Sequence, residues 1–208
     1  MGKRIPTRQL AAISLLAATA AATRIGVNFA AFSVPIPIYG VVVKIGLTET
    51  LTFVSGFAFG SIQGFITGAL AIIVSDLLTW PGVWTLIIAA IIGLLGILGG
   101  LFRRLGPNPS IISLGAAAVV LTMISESLQN IYTAWSYLIS GMPLTESLVL
   151  SFGGGIVPMV TALINNTVLF TMLAPRIITI IRRMVMTKPK GGIRGESNEE
   201  SARYHLSP

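Results

Sequence analysis

Long apolar runs alternate with short polar segments along almost the whole chain. Uncharged stretches cover roughly residues 9–23, 50–75, 82–102, 105–125 and 147–175. A helix that crosses a bilayer needs about 20 mainly apolar residues. Taken alone, this pattern predicts five crossings.

The charges between the runs favour six crossings instead. With an internal N-terminus, five crossings would leave Arg103 and Arg104 outside, whereas basic loops normally stay in the cytoplasm. A break at Gly60–Gly64 divides the second run and returns every basic cluster to the cytoplasmic side. We therefore predict an all-α membrane protein with six transmembrane helices and both termini cytoplasmic. The expected helices are about 9–32, 47–60, 63–80, 83–102, 110–138 and 154–184.

The charges are also sorted by sign. Twelve of the 14 Lys and Arg residues lie at residues 3–8, at 103–104 and from 176 onward, and the four acids of the body lie between them. The net charge of +7 comes from the two ends, which favours contact with anionic membrane lipid over nucleic-acid binding. We expect residues 1–186 to form the membrane domain and residues 187–208 to be a disordered cytoplasmic tail.

The first segment has an alternative interpretation. Basic residues followed by an Ala-rich run, with Ala18–Ala20 or Ala20–Ala22 as a cleavage site, resemble a signal peptide. Apolar sequence continues from Ile25 to Phe32, and small residues recur at helical spacing. These two features favour a retained first helix.

Composition excludes several kinds of chemistry. The chain has no Cys, and its single His, His205, lies in the polar tail. We therefore expect neither a metal site nor a cofactor. No nucleophile with a His base occurs in the body, and no Gly-rich Lys-Ser/Thr phosphate loop is present, so we expect no enzyme activity and no ATPase activity of its own.

One stretch resembles a known family. It begins with Lys44-Ile45-Gly46-Leu47-Thr48-Glu49 and continues through the aromatic-glycine segment Gly56–Gly60 and the glycines 64 and 68 to Asp76-Leu77-Leu78. This is similar to the second and third helices of substrate-binding S components of energy-coupling factor (ECF) vitamin transporters. The chain differs from the family pattern at Ser61, where Pro is usual, and at Gly46, where Asp is common.

The resemblance implies a binding subunit rather than a complete transporter. S components hold a small-molecule substrate, here expected to be a vitamin-like nitrogen heterocycle. They associate with a transmembrane T subunit and a pair of ATPases that drive uptake. They also use a small-xxx-small face of the first helix to dock the T subunit, which here indicates Ala18 and Ala22 as the partner interface.

Polar residues at matching depths predict a cavity that is open to the outside. Ionisable groups inside a membrane are costly and usually functional. Helical spacing places Thr122, Glu126 and Asn130 on one stripe of the fifth helix. The candidate substrate-binding residues are Arg24, Asn28, Asp76, Trp84, Glu126, Asn130, Trp135 and Asn165.

A structural interpretation stands beside this one. Arg24 can pair with Asp76 or Glu126 and simply hold helices together, and the tryptophans can form an interfacial aromatic belt instead of stacking on a ligand. The alternative function is therefore a structural or assembly membrane protein, with internally paired charges and no ligand.

Two loops are candidates for gates. The segment from Phe32 to Leu47 is apolar although it is expected to be extracellular, so we predict a lid over the cavity, with Lys44 near its descent to the second helix. The segments Gly141–Pro143 and Gly153–Gly155 are expected either to be hinges of a second flap or to allow close helix packing.

Overall fold

The computed structural model describes residues 6–33 and 46–186, without the side chains of residues 27–33 and 184–186. The side chain of Asn28, the predicted tail and all but the ends of the predicted lid, including Lys44, lie outside this part of the chain. The described helices are α1 (Thr7–Ser33), α2 (Leu47–Phe59), α3 (Ser61–Leu78), α4 (Val83–Leu105), α5 (Ile111–Ile139), α6 (Leu144–Met172) and α7 (Ala174–Met186).

The fold agrees with the predicted all-α membrane protein. Five stretches of the described residues are long and apolar enough to cross a membrane. They are Thr7–Gly26, Ser61–Leu78, Val83–Leu105, Ile111–Ile139 and Leu144–Arg183, the last of which joins α6 to α7. With α2 they make up the six expected helices, and the division of the second apolar run falls at Gly60.

The last membrane helix begins ten residues earlier than predicted. Pro143 precedes its first residue, Leu144, and Glu146 lies in its first turn, where an acid is favourable at a helix N-terminus. The segment Gly153–Gly155 is therefore helical, so of our two expectations for these glycines the flap hinge does not apply. The loop between α5 and α6 is reduced to a short turn in which Gly141 has a φ of 91°.

Glycines bring α2, α3 and α4 into backbone contact. A Cβ atom on Gly56 would lie 1.9 Å from the carbonyl oxygen of Gly96, and one on Gly64 would lie 2.5 Å from the Cα of Gly56. The turn that reverses the chain between α2 and α3 is at Gly60, whose φ of 121° favours glycine. These three helices therefore form a tightly packed unit.

One end of the bundle is basic, and it is tied together by its arginines. Arg103 at the end of α4 donates a 2.8 Å hydrogen bond to the carbonyl oxygen of Ala58 in α2. Arg182 of α7 donates one of 2.8 Å to the Asn108 side chain and lies 5.9 Å from the centre of the Phe57 ring. We call this the basic end. The positive-inside rule predicts that it faces the cytoplasm.

Just inside the basic end lies the aromatic part of the core. The ring of Phe53 lies 5.0 Å from that of Phe170 and 5.6 Å from that of Phe102, measured between centroids. These contacts join α2 to α4 and α6. The α5–α6 pair touches the rest of the bundle much less than it touches itself, through limited contacts with α4, α2 and α7.

Candidate functional site

The shortness of α2 positions the candidate site. Its 13 residues span about 20 Å, whereas the 27 residues of α1 span about 40 Å. Since α2 ends at the basic end, its first residue lies well below the opposite face of a hydrocarbon layer about 30 Å thick. The short α2 therefore leads us to expect a recess above its first residue, lined by polar side chains of the neighbouring helices.

Asn166 of α6 lies at the start of α2. It is 2% exposed, and its Nδ2 donates a 2.9 Å hydrogen bond to the hydroxyl of Thr122 on α5. Its Oδ1 lies against Gly46, where a Cβ atom would be 1.2 Å from it. The Asp that is common at position 46 in the resembling family would collide with this amide. We call Gly46, Thr122 and Asn166 the floor of the recess.

The floor contains an unused acceptor. Within the described residues, Oδ1 of Asn166 has no hydrogen-bond partner although it is buried. A buried carbonyl oxygen without a donor costs about 1–3 kcal/mol. A group that supplies an N–H or O–H at this point would therefore be stabilised.

The polar stripe of α5 rises from the floor towards the end opposite the basic one. Thr122 and Glu126 are each 3% exposed, Asn130 and Thr133 are half-buried, and Tyr137 is exposed. Burial thus decreases steadily along the stripe, as it would on the wall of an open cup. Glu126 takes part in an interaction within the protein.

Asn130 is fitted against α6. Its carboxamide packs on Gly155, where a Cβ atom would lie 2.6 Å from both Nδ2 and Oδ1, and its main-chain oxygen accepts a hydrogen bond from Ser151. Of our two interpretations of the glycine segment, close packing therefore applies at Gly155. Asn165, on the next position of α6 from Asn166, is half-buried and is also engaged within the protein.

Arg24 and Asp76 form the internal pair that the structural interpretation anticipated. Nη2 of Arg24 lies 3.0 Å from one oxygen of Asp76, and the Thr85 hydroxyl donates a 3.0 Å hydrogen bond to the other. Both carboxylate oxygens are therefore occupied. The pair connects α1, α3 and α4 near the end opposite the basic one, rather than joining the α5 stripe.

The candidate aromatic residues lie at helix ends. Trp84 is 45% exposed near the start of α4 and Trp135 is 51% exposed near the end of α5, with the Tyr132 ring 6.1 Å from that of Trp135. This exposure suits an interfacial belt. Stacking on a ligand stays a prediction for both.

The first helix presents two different faces. Ala17 and Ala21 are buried against the bundle, and Ala18 and Ala22 are exposed. Ala20 is fully buried, and its carbonyl oxygen accepts a 3.2 Å hydrogen bond from Thr48. The stretch that would carry a signal-peptide cleavage site is thus an integral part of the helix packing.

The floor was only partly anticipated from the sequence. Thr122 belongs to the predicted stripe, but Asn165 was favoured over Asn166, and Gly46 was noted solely as a departure from a family pattern. Asn166 lies one turn before Phe170 and two turns before Ala174, so all three residues share one helical stripe. The two apolar residues of this stripe indicate that it is a buried face.

Comparison with known protein families supplies the remaining observation. Residues 4–175 match the family described as ECF-type riboflavin transporter, S component. No curated protein and no solved structure is significantly similar to the chain. The matched region contains α1–α6 and therefore both the floor and the exposed alanines. With its apolar helices, the match identifies a multi-pass protein of the cell membrane that belongs to the S components of ECF-type riboflavin transporters, where it is the substrate-specific subunit rather than an enzyme.

Proposed function

We propose that this subunit captures riboflavin from outside the cell and releases it inward when it is joined to a T subunit and a pair of ATPases. The observation that carries the proposal is the family match over residues 4–175, together with the polar recess above α2. Riboflavin is a flat nitrogen heterocycle with a polyhydroxylated side chain, and it offers several O–H and N–H donors.

The recess suits a ligand that is rich in donors. Asn166 presents a buried acceptor without a partner, and Glu126 presents a buried carboxyl group one turn above Thr122. We assign the polar contacts to Glu126, Asn130 and Asn166, with Asn165 at the edge. Trp135 is the proposed stacking surface at the entrance.

Arg24 and Asp76 have a different role in this proposal. Because they bind each other, they fix α1 against α3 and thereby shape the wall of the recess. Asn28 lies one turn beyond Arg24 on α1, and we propose it as a further ligand contact. Trp84 is proposed as a second, peripheral aromatic contact.

Binding is tested directly with purified protein in detergent. Riboflavin fluorescence should be quenched on addition of the protein, and riboflavin at 100 times its dissociation constant should add about 2.7 kcal/mol to the free energy of unfolding. Glu126→Gln should weaken binding about tenfold or more, because hydrogen bonds to charged groups contribute about 1.5–3 kcal/mol.

Glu146→Gln is the matched control, since Glu146 is an exposed acid in the first turn of α6. It should leave riboflavin affinity unchanged. Absence of riboflavin binding to the unaltered protein would overturn the proposal. Equal affinities of the Glu126 and Glu146 variants would remove Glu126 from the site.

A further inference from the structure

An open apolar groove lies between α4 and α5 near the basic end. It has a volume of about 640 Å³, and its walls are formed by residues such as Leu98, Leu101, Ala117 and Val120. It exists because α4 and α5 make few contacts with each other. Phe53 of α2 closes the inner side of the groove.

A single cation stands at the mouth of this groove. Arg104, at the end of α4, lines it and is exposed. Within the described residues Arg104 has no ion pair, hydrogen bond or ring contact, in contrast to its neighbour Arg103, which is bonded to Ala58. Ser113 is the other polar residue in the lining.

The groove has the dimensions of one membrane leaflet. Its α5 wall extends from Ser113 to Ile124, which is about 16 Å of helix. This length is similar to half the thickness of a hydrocarbon layer, which is about 30 Å thick in total. An elongated apolar chain with a negative group at one end fits both the length and the position of the charge.

We propose that the α4–α5 groove binds an anionic phospholipid, with an acyl chain along Leu101, Ala117 and Val120 and the phosphate at Arg104. Basic pockets between membrane helices on the cytoplasmic side are suited to such headgroups. In the described residues α1 has no extensive contact with α4 or α5, so the exposed alanines lie on a different part of the surface. A partner that covers only the exposed face of α1 would leave the groove open to lipid.

The experiment compares retained lipids by native mass spectrometry. The purified protein is delipidated and then exposed to phosphatidylglycerol or to phosphatidylcholine in mixed micelles. The unaltered protein should retain phosphatidylglycerol preferentially. Arg104→Gln should reduce that preference about fivefold, the effect of one basic residue near a membrane surface. Arg176→Gln, a change of another exposed arginine outside the groove, should not.

A second pair of variants tests whether the groove binds the acyl chain. Val120→Trp should fill the groove and abolish retention of either lipid, whereas Val168→Trp, on the exposed side of α6, should not. Both variants should still bind riboflavin, which separates this site from the recess. Equal retention of the two lipids, or unchanged retention by Val120→Trp, would overturn the proposal. The proposal would also be overturned if Val120→Trp no longer associated with the T subunit but still retained lipid. The groove would then be a protein-docking surface.

Discussion

Arg24 on α1 and Asp76 on α3 are bound to each other at 3.0 Å, and Thr85 on α4 completes the set. The carboxylate is almost fully buried, while the Arg24 side chain is 30% exposed. Three helices are thereby connected through one acid. Arg24 is also the only cation of the described residues that lies far from both the basic end and the chain start.

The first prediction concerns this pair. Asp76→Leu alone should destabilise the protein by about 2 kcal/mol, because it leaves a partly buried guanidinium without its partner. Arg24→Met combined with Asp76→Leu should recover much of that loss, since neither charge then remains buried. Thermal unfolding in detergent measures both. A double variant that is no more stable than the single one would contradict the prediction.

The second prediction concerns the contact between α2 and α4. Gly56→Ala and Gly96→Ala should each prevent stable folding or lower stability by several kcal/mol, because the new Cβ would penetrate the facing backbone. Gly153→Ala is the control within α6, where nothing lies within 4 Å. It should be neutral or stabilising by about 0.5–1 kcal/mol. Folded yield after gel filtration distinguishes the two outcomes.

The third prediction concerns the exposed face of α1. Ala18→Trp and Ala22→Trp should abolish riboflavin uptake in cells that contain the T subunit and the ATPases, while binding to the isolated subunit is retained. The reason is that a large side chain prevents close approach of a partner helix. Val149→Trp, on the exposed side of α6, should affect neither. Retained uptake in the alanine variants would move the partner interface elsewhere.

The fourth prediction concerns the charge of the ligand. Riboflavin should bind at least tenfold more tightly than its phosphate ester, because a phosphate would enter a recess that holds buried Glu126, while Arg24 is already paired with Asp76. Competition for riboflavin fluorescence quenching gives both affinities. Tighter binding of the ester would imply that Arg24 abandons Asp76 for the phosphate.

Much of the fold could be predicted from the sequence, because span length and the side of each basic cluster are both set by the bilayer. The division at Gly60 is an example, since it followed from the sides of the basic clusters and from the glycines at 60 and 64. Helix ends were predicted less well. At Glu146 an acid that is favourable at a helix N-terminus was taken for part of a loop, because the glycines that follow it suggested flexibility.

The candidate site was harder to predict for a physical reason. Periodicity shows which residues of one helix share a face, but it does not show which helix that face meets. The stripe with Thr122 and Glu126 could therefore be identified, whereas the contact between Asn166 and Gly46 depends on where α2 begins in depth. For the same reason, the sequence did not decide whether Asp76 or Glu126 is the partner of Arg24.

The glycine contacts among α2, α3 and α4 also restrict how this protein can diversify. Even a methyl group is too large at Gly56, Gly64 or Gly96. Substitutions at these glycines would therefore disrupt folding before they could change which substrate is bound. Changes in substrate preference are therefore expected in α5 and α6, which make fewer contacts with α4 than α2 and α3 do.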